Sequence, residues 1–171
     1  WLRDLMLCSY SRQPGSIRPL LADIANRDSG NLLPPEVVSL YSSNHFDLLG
    51  SGWRDWSAGA SANPVNLANR LYARRLRSLI SIGYRPLDWH CDIRAGHQWP
   101  ARRWSRWILP GRPAGVDIKL PWELSRMQHH VPLALHVMNK PDMRAEQAQL
   151  FRDQILDFMA SNPPRFGVNW R

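Results

Sequence analysis

Four residues in one stretch have the types and spacing to hold an acidic ligand: Trp122, Glu123, Arg126 and His129, within DIKLPWELSRMQHHVPLALH (Asp117 to His136). Arginine offers a planar fork to carboxylate, sulfate or phosphate, and tryptophan a flat apolar face with one N–H. Glutamate can orient either cation, and histidine titrates near neutrality. On a helix turning about 100° per residue, Trp122, Arg126, His129 and Leu133 share one side, with Glu123 just beyond Arg126. Two plainer roles compete: an intrahelical Glu123–Arg126 pair and a hydrogen-bonded, packed His129.

A second block, RPLDWHCDIRAGHQWPARRWSRW (Arg85 to Trp107), sets Trp89, Trp99, Trp104 and Trp107 beside His90, Asp92, His97 and several arginines. From Arg70 to Arg106 there are nine arginines against Asp88 and Asp92. Aromatics interleaved with arginine can stack sugar rings or bases while neutralising acid groups, or simply cover a core edge. Metal binding is disfavoured. Neither His90-Cys91-Asp92 nor His129-His130 has zinc-ligand spacing, and adjacent helical residues point about 100° apart.

The elements that must position these groups read as helices. Pro121 suits a first turn; Leu124, Met127, Val131, Leu135 and Met138 predict a core-facing stripe, and Pro132 a kink near His129. Met143 to Ser161 predicts a second helix, capped by Asp142, with Ala148, Phe151, Ile155 and Phe158 inward; joined by the turn at Asn139 to Pro141, the two form an antiparallel hairpin. Val65 to Ile82 predicts a basic amphipathic helix. Residues 28–35 read as a loop because of Gly30 and Pro34-Pro35. HFDLLGSG (His45 to Gly52) closes on glycines that let the backbone approach another group. No useful strand alternation appears, so the expected class is all-α with long loops.

The totals bound the function. The 171 residues, 44% hydrophobic, suffice for one real core. No run of about 18 apolar residues predicts a membrane span. A balance of 22 Lys+Arg against 14 Asp+Glu gives net +8, which favours a polyanionic partner: acidic polysaccharide, nucleic acid or membrane surface. Cys8 and Cys91 are compatible with packed thiols or a disulfide. The chain opens on Trp1 and reads as a piece of a longer protein.

Four strings in order resemble the N-terminal helical domain of the heparinase II/III family of polysaccharide lyases: HFDLLGSG (45–52), LDWHCDIRAGHQWP (87–100), DIKLPWELSRMQHH (117–130) and NPPRFGVNW (162–170). The resemblance covers residues 45–171; residues 1–44 carry no signature. Cys91 stands where the family more often has a basic residue, and His130 where an apolar one is usual. The resemblance implies a partial α/α toroid of antiparallel helical hairpins, continued by further helices and a β-sandwich domain of the same chain. It implies an acidic, uronate-containing polysaccharide cleaved by β-elimination, no cofactor, and a periplasmic or secreted location. The catalytic Asn, Tyr and His would follow Arg171, leaving this piece inactive alone. Trp89, Asp92, Trp122, Glu123, Arg126, His129, Asn169 and Trp170 are then the expected lining or bracing of the substrate groove. A non-catalytic glycan-binding relative is the alternative, and the ordered strings disfavour nucleic acid.

Overall fold

Pro35 opens a helix here, where the sequence reads as a loop. A proline in the first turn gives up no hydrogen bond, and its fixed φ suits the helix. The computed structural model describes residues 33–57, 69–111, 113–138 and 140–170. Within them lie helices α1 (Pro35–Ser42), α2 (Arg70–Arg77), α3 (Lys119–Ser125), α4 (His130–Met138) and α5 (Arg144–Ser161). Strands β1 (His45–Phe46) and β2 (Arg54–Asp55) pair antiparallel, as do β3 (Cys91–Asp92) and β4 (His97–Gln98). Residues 1–32, with Cys8, and residues 58–68, with the start of the predicted Val65 to Ile82 helix, lie outside the described residues.

This mixed architecture overturns the expected all-α class and its partial α/α toroid of antiparallel hairpins. Two two-stranded ladders stand in loop segments where no strand was expected. Each strand is two residues long, too short for a period of two to show in sequence. Asp side chains set the turns instead. Asp92 Oδ1 accepts the backbone N–H groups of Arg94 and Ala95 inside the β3–β4 turn, while Asp88 accepts the backbone N–H of His90 and the side-chain amide of Gln98. Between β1 and β2, Asp47 accepts Gly52 N–H, and Gly50 and Gly52 both adopt φ of 71°. Nothing lies within 4 Å of either glycine's missing Cβ. They serve backbone conformation there, and the close approach expected of them is absent.

The run from Asp117 to His136 is broken, where a kink in one helix was expected. α3 ends at Ser125, Met127 takes φ of 52°, and α4 starts at His130. Pro132 then falls in the first turn of α4, where its missing N–H costs nothing; a continuous helix would have set its ring against the carbonyl four residues back. The break divides the predicted stripe. Leu124 is buried and Met127 packs against the same core, but Val131 and Met138 are exposed while Leu133, His136 and Val137 are buried.

α5 matches its predicted range to within one residue, and α4 packs on it. Its first turn follows a 3-10 turn at Pro141–Met143, with no side-chain cap, so the expected Asp142 cap is not made. Its buried face is also not the predicted one. Phe151 is exposed, whereas Gln147, Asp153, Gln154, Asp157, Ala160 and Ser161 are buried. Ala160 meets Ala73 and Leu76 of α2. The main core joins Phe46, Trp56, Leu87, Trp89, Leu120 and Leu124. A second cluster joins Trp99, Ile108, Ile118 and Val168. No described helix is long and apolar enough to cross a membrane.

Candidate functional site

Four of the eight expected groove residues are chiefly braces. Trp89 is fully buried; its indole N–H donates to Asp157 Oδ2 at 2.9 Å and its ring meets Phe158 edge-on. Asp92 is buried too, and its Oδ2 accepts Asp117 N–H at 2.7 Å, tying the β3–β4 turn to the approach to α3. Asn169 donates to Trp89 O and to Asn162 Oδ1, each at 2.8 Å. His129 is buried against Phe46, with ring centroids 4.5 Å apart, and its Nε2 lies 2.7 Å from Gln154 Oε1. Burial first, then the neighbouring His130, pushes its pKa down to about 3, so the imidazole is neutral at physiological pH. It brings no cation to a ligand.

The other four lie on α3 and at the C-terminal 3-10 turn, Val168–Trp170, which pack together. Half-buried Trp122 donates its indole N–H to Val168 O at 2.8 Å. Arg126 pairs with Glu123 at 2.5 Å, and the arginine side chain remains 59% exposed. Such an exposed pair at i, i+3 contributes about 0.2–0.5 kcal/mol, so an incoming carboxylate can compete for the guanidinium. Trp170 is 44% exposed, its indole N–H held by Asn162 O at 3.0 Å. The structure therefore joins α3, which carries Trp122 and Glu123 and leads into Arg126, to the turn that carries Asn169 and Trp170. His129 packs elsewhere, against Phe46, Tyr41 and Gln154.

Neither sequence pattern nor periodicity marked Asp157 or Gln154 as important, because polar residues on a helix are ordinarily read as its solvent face. Asp157 Oδ2 accepts from Leu87 N–H, Trp89 Nε1–H and Tyr84 O–H. Gln154 links His129 to Asn44, whose amide reaches Arg85 O. Cys91 is a free thiol, and burial followed by Asp88 and Asp92 pushes its pKa up to about 12. It is a poor nucleophile at neutral pH. Among the described residues no cluster of three or more His, Cys, Asp or Glu side chains could hold a metal ion.

Three concavities stand out among the described residues. The largest of these three, about 590 Å³, has a mixed polar and apolar lining and lies between Ser42–Asn44, Ser81–Arg85 and the first half of α5. An apolar groove of about 360 Å³ runs between α4 and α5. A third, about 380 Å³, is walled by indole, imidazole and guanidinium groups of the 97–113 region. No protein family, curated protein or solved structure matches this chain.

Proposed function

We propose that this chain is part of a polysaccharide lyase acting on a uronate-containing glycan, and that it supplies one wall of the substrate groove. The observation that carries this reading is the convergence of the four family-like strings. The 45–52 string meets the 117–130 string through Phe46 and His129. The 87–100 string meets it through Asp92 and Asp117, and the 162–170 string through Trp89 and Asn169. Trp122 and Val168 complete the set. Strings scattered over the sequence thus all reach the segment 117–130, which carries the exposed Arg126 and adjoins the turn of Trp170 through Trp122.

β-Elimination sets the division of labour. The uronate carboxylate must be neutralised, a base must take the C5 proton, the electron pair must form the C4–C5 double bond, and the departing oxygen must be protonated. In this reading Arg126 pairs with a sugar carboxylate and Trp170 stacks a ring, while Trp89, Asp92, His129 and Asn169 hold the wall rigid. None of these residues is assigned the proton transfers.

The test is ultraviolet detection of unsaturated product from the full-length protein, over polygalacturonate, alginate and heparan sulfate. Arg126→Ala should lower kcat/KM by roughly tenfold, mostly through KM, as expected for a lost charge-assisted contact. An unchanged kcat/KM with an intact fold removes Arg126 from the wall. The second reading, a non-catalytic glycan binder, is favoured by one feature: the accessible Arg126 and Trp170 bind and stack but form no acid–base pair. Binding of the same polymers without unsaturated product would establish it.

A further inference from the structure

The stretch WPARRWSRWILPGRP, 99–113, carries Arg102, Arg103, Arg106 and Arg112 and no acidic residue. It is firmly mounted. Ser105 N–H donates to Arg165 O, Gly167 N–H donates to Arg103 O, and Trp104 bridges to Phe166. Trp99 and Ile108 anchor it in the second core cluster. Over this mount lies the cavity of about 380 Å³, lined in part by His97, Trp99, Arg103, Trp107, Leu109 and Pro113. That volume is at the small end of the range of roughly 300–1,000 Å³ for small-ligand sites.

Its walls have mixed chemistry. Trp107 is 67% exposed, an unusual position for so large an apolar ring. Arg103 is exposed, with no ion-pair partner among the described residues. Trp99 is 5% exposed, its indole nitrogen sealed inside the wall, where the N–H has no acceptor among the described residues. A buried indole usually has one. An aromatic face and a cation around one small cavity match two features of an acidic sugar: an apolar ring face and a carboxylate.

We propose that this cavity is a subsite for one uronate unit, with the sugar ring on Trp107 and its carboxylate on Arg103. The inference deepens the lyase reading and rests on it for the identity of the polymer. It also extends the wall. Residues 165–167 carry the cavity's loop, and Val168–Trp170 immediately after them pack on α3, which leads into Arg126, so one glycan strand running along this segment meets both. A nucleic-acid strand fits less well. It would need a basic groove tracking several phosphates, whereas Arg103 is the one arginine lining this cavity among the described residues.

Titration calorimetry on the full-length protein tests the subsite, with oligosaccharides cut from polygalacturonate, alginate and heparan sulfate as probes. Carboxyl-reduced counterparts and single-stranded DNA at equal ionic strength serve as comparisons. Trp107→Ala and Arg103→Gln should each weaken binding of the preferred acidic oligosaccharide by about tenfold, with Arg103→Lys recovering part of the loss. The carboxyl-reduced probe should bind more weakly and ignore Arg103→Gln. Unchanged affinity in both variants, with folds intact by circular dichroism, overturns the subsite. So does DNA that binds as tightly and responds to the same substitutions. Product formation is read separately. Weakened variants of a protein that makes no unsaturated product leave the subsite standing and sink the lyase reading, while normal cleavage with unchanged affinity does the reverse.

Discussion

Gly167 shows how tightly a single position can be specified. It adopts φ of 74°, and a Cβ there would stand 2.5 Å from His90 Cε1. His90 has nowhere to go: it is buried, with Nε2 donating to Ser161 O at 3.2 Å. Gly167→Ala therefore combines left-handed backbone strain with overpacking and should cost about 2–4 kcal/mol by denaturant titration. A loss below about 1 kcal/mol would mean that the ring yields easily. Leu49 presents the converse case, an exposed leucine at φ of 54° beside Gly50. Leu49→Gly removes strain and little packing, so it should raise stability by about 0.5–1 kcal/mol. Lower stability in the same titration would refute the strain argument.

At the scale of elements, the sequence carried helix location better than helix orientation. Met143 to Ser161 was legible because nineteen residues without Gly or Pro have few alternatives to a helix. Which face it buries was not, since Asp157 and Gln154 are buried through partners from distant segments, and no local pattern encodes those. The Pro132 signal placed the disturbance correctly, near His129, but it is a break and not a kink, because the chain resolves the clash by restarting the helix two residues before the proline. The site divides along the same line. Arg126 and Trp170 were legible as exposed ligand-type residues, whereas Trp89 and Asp92 have the same residue chemistry but are consumed by internal hydrogen bonds. Asp157 joins α5 to the 84–89 segment through three donors on one oxygen. Asp157→Ala leaves those donors without their acceptor and should cost about 3 kcal/mol or more, with loss of the near-ultraviolet signal of Trp89. A native-like signal with a loss under about 1 kcal/mol would show that water replaces the carboxylate.

Across the whole molecule, buried histidines set the response to acid. Burial is the leading cause of a lowered pKa at His90, His129 and His130, with His129 brought down to about 3 and His130 to about 4. Each group binds fewer protons folded than unfolded once the pH drops below its ordinary value of 6.5. Stability therefore falls with acidification through the window from about 6.5 down to the folded values. Asp157 acts in the opposite sense: burial raises its pKa above 3.8, so the folded state binds the extra proton there and acidification favours it. Its window opens upward from 3.8, and one carboxyl opposes three imidazoles. At pH 5 His129 alone accounts for about 2 kcal/mol lost relative to pH 7.5, from protonation of the unfolded chain. The melting temperature should thus drop by several degrees between pH 7.5 and pH 5. His129→Gln removes that titration and leaves an amide facing Gln154, so the variant should start less stable at pH 7.5 and lose less on acidification. A wild-type melting temperature flat over this range, or a variant with the wild-type slope, would show that His129 is not held neutral in the fold. That outcome would also return a cationic His129 to consideration as a ligand for the glycan carboxylate, and move the groove wall toward Phe46 and Tyr41.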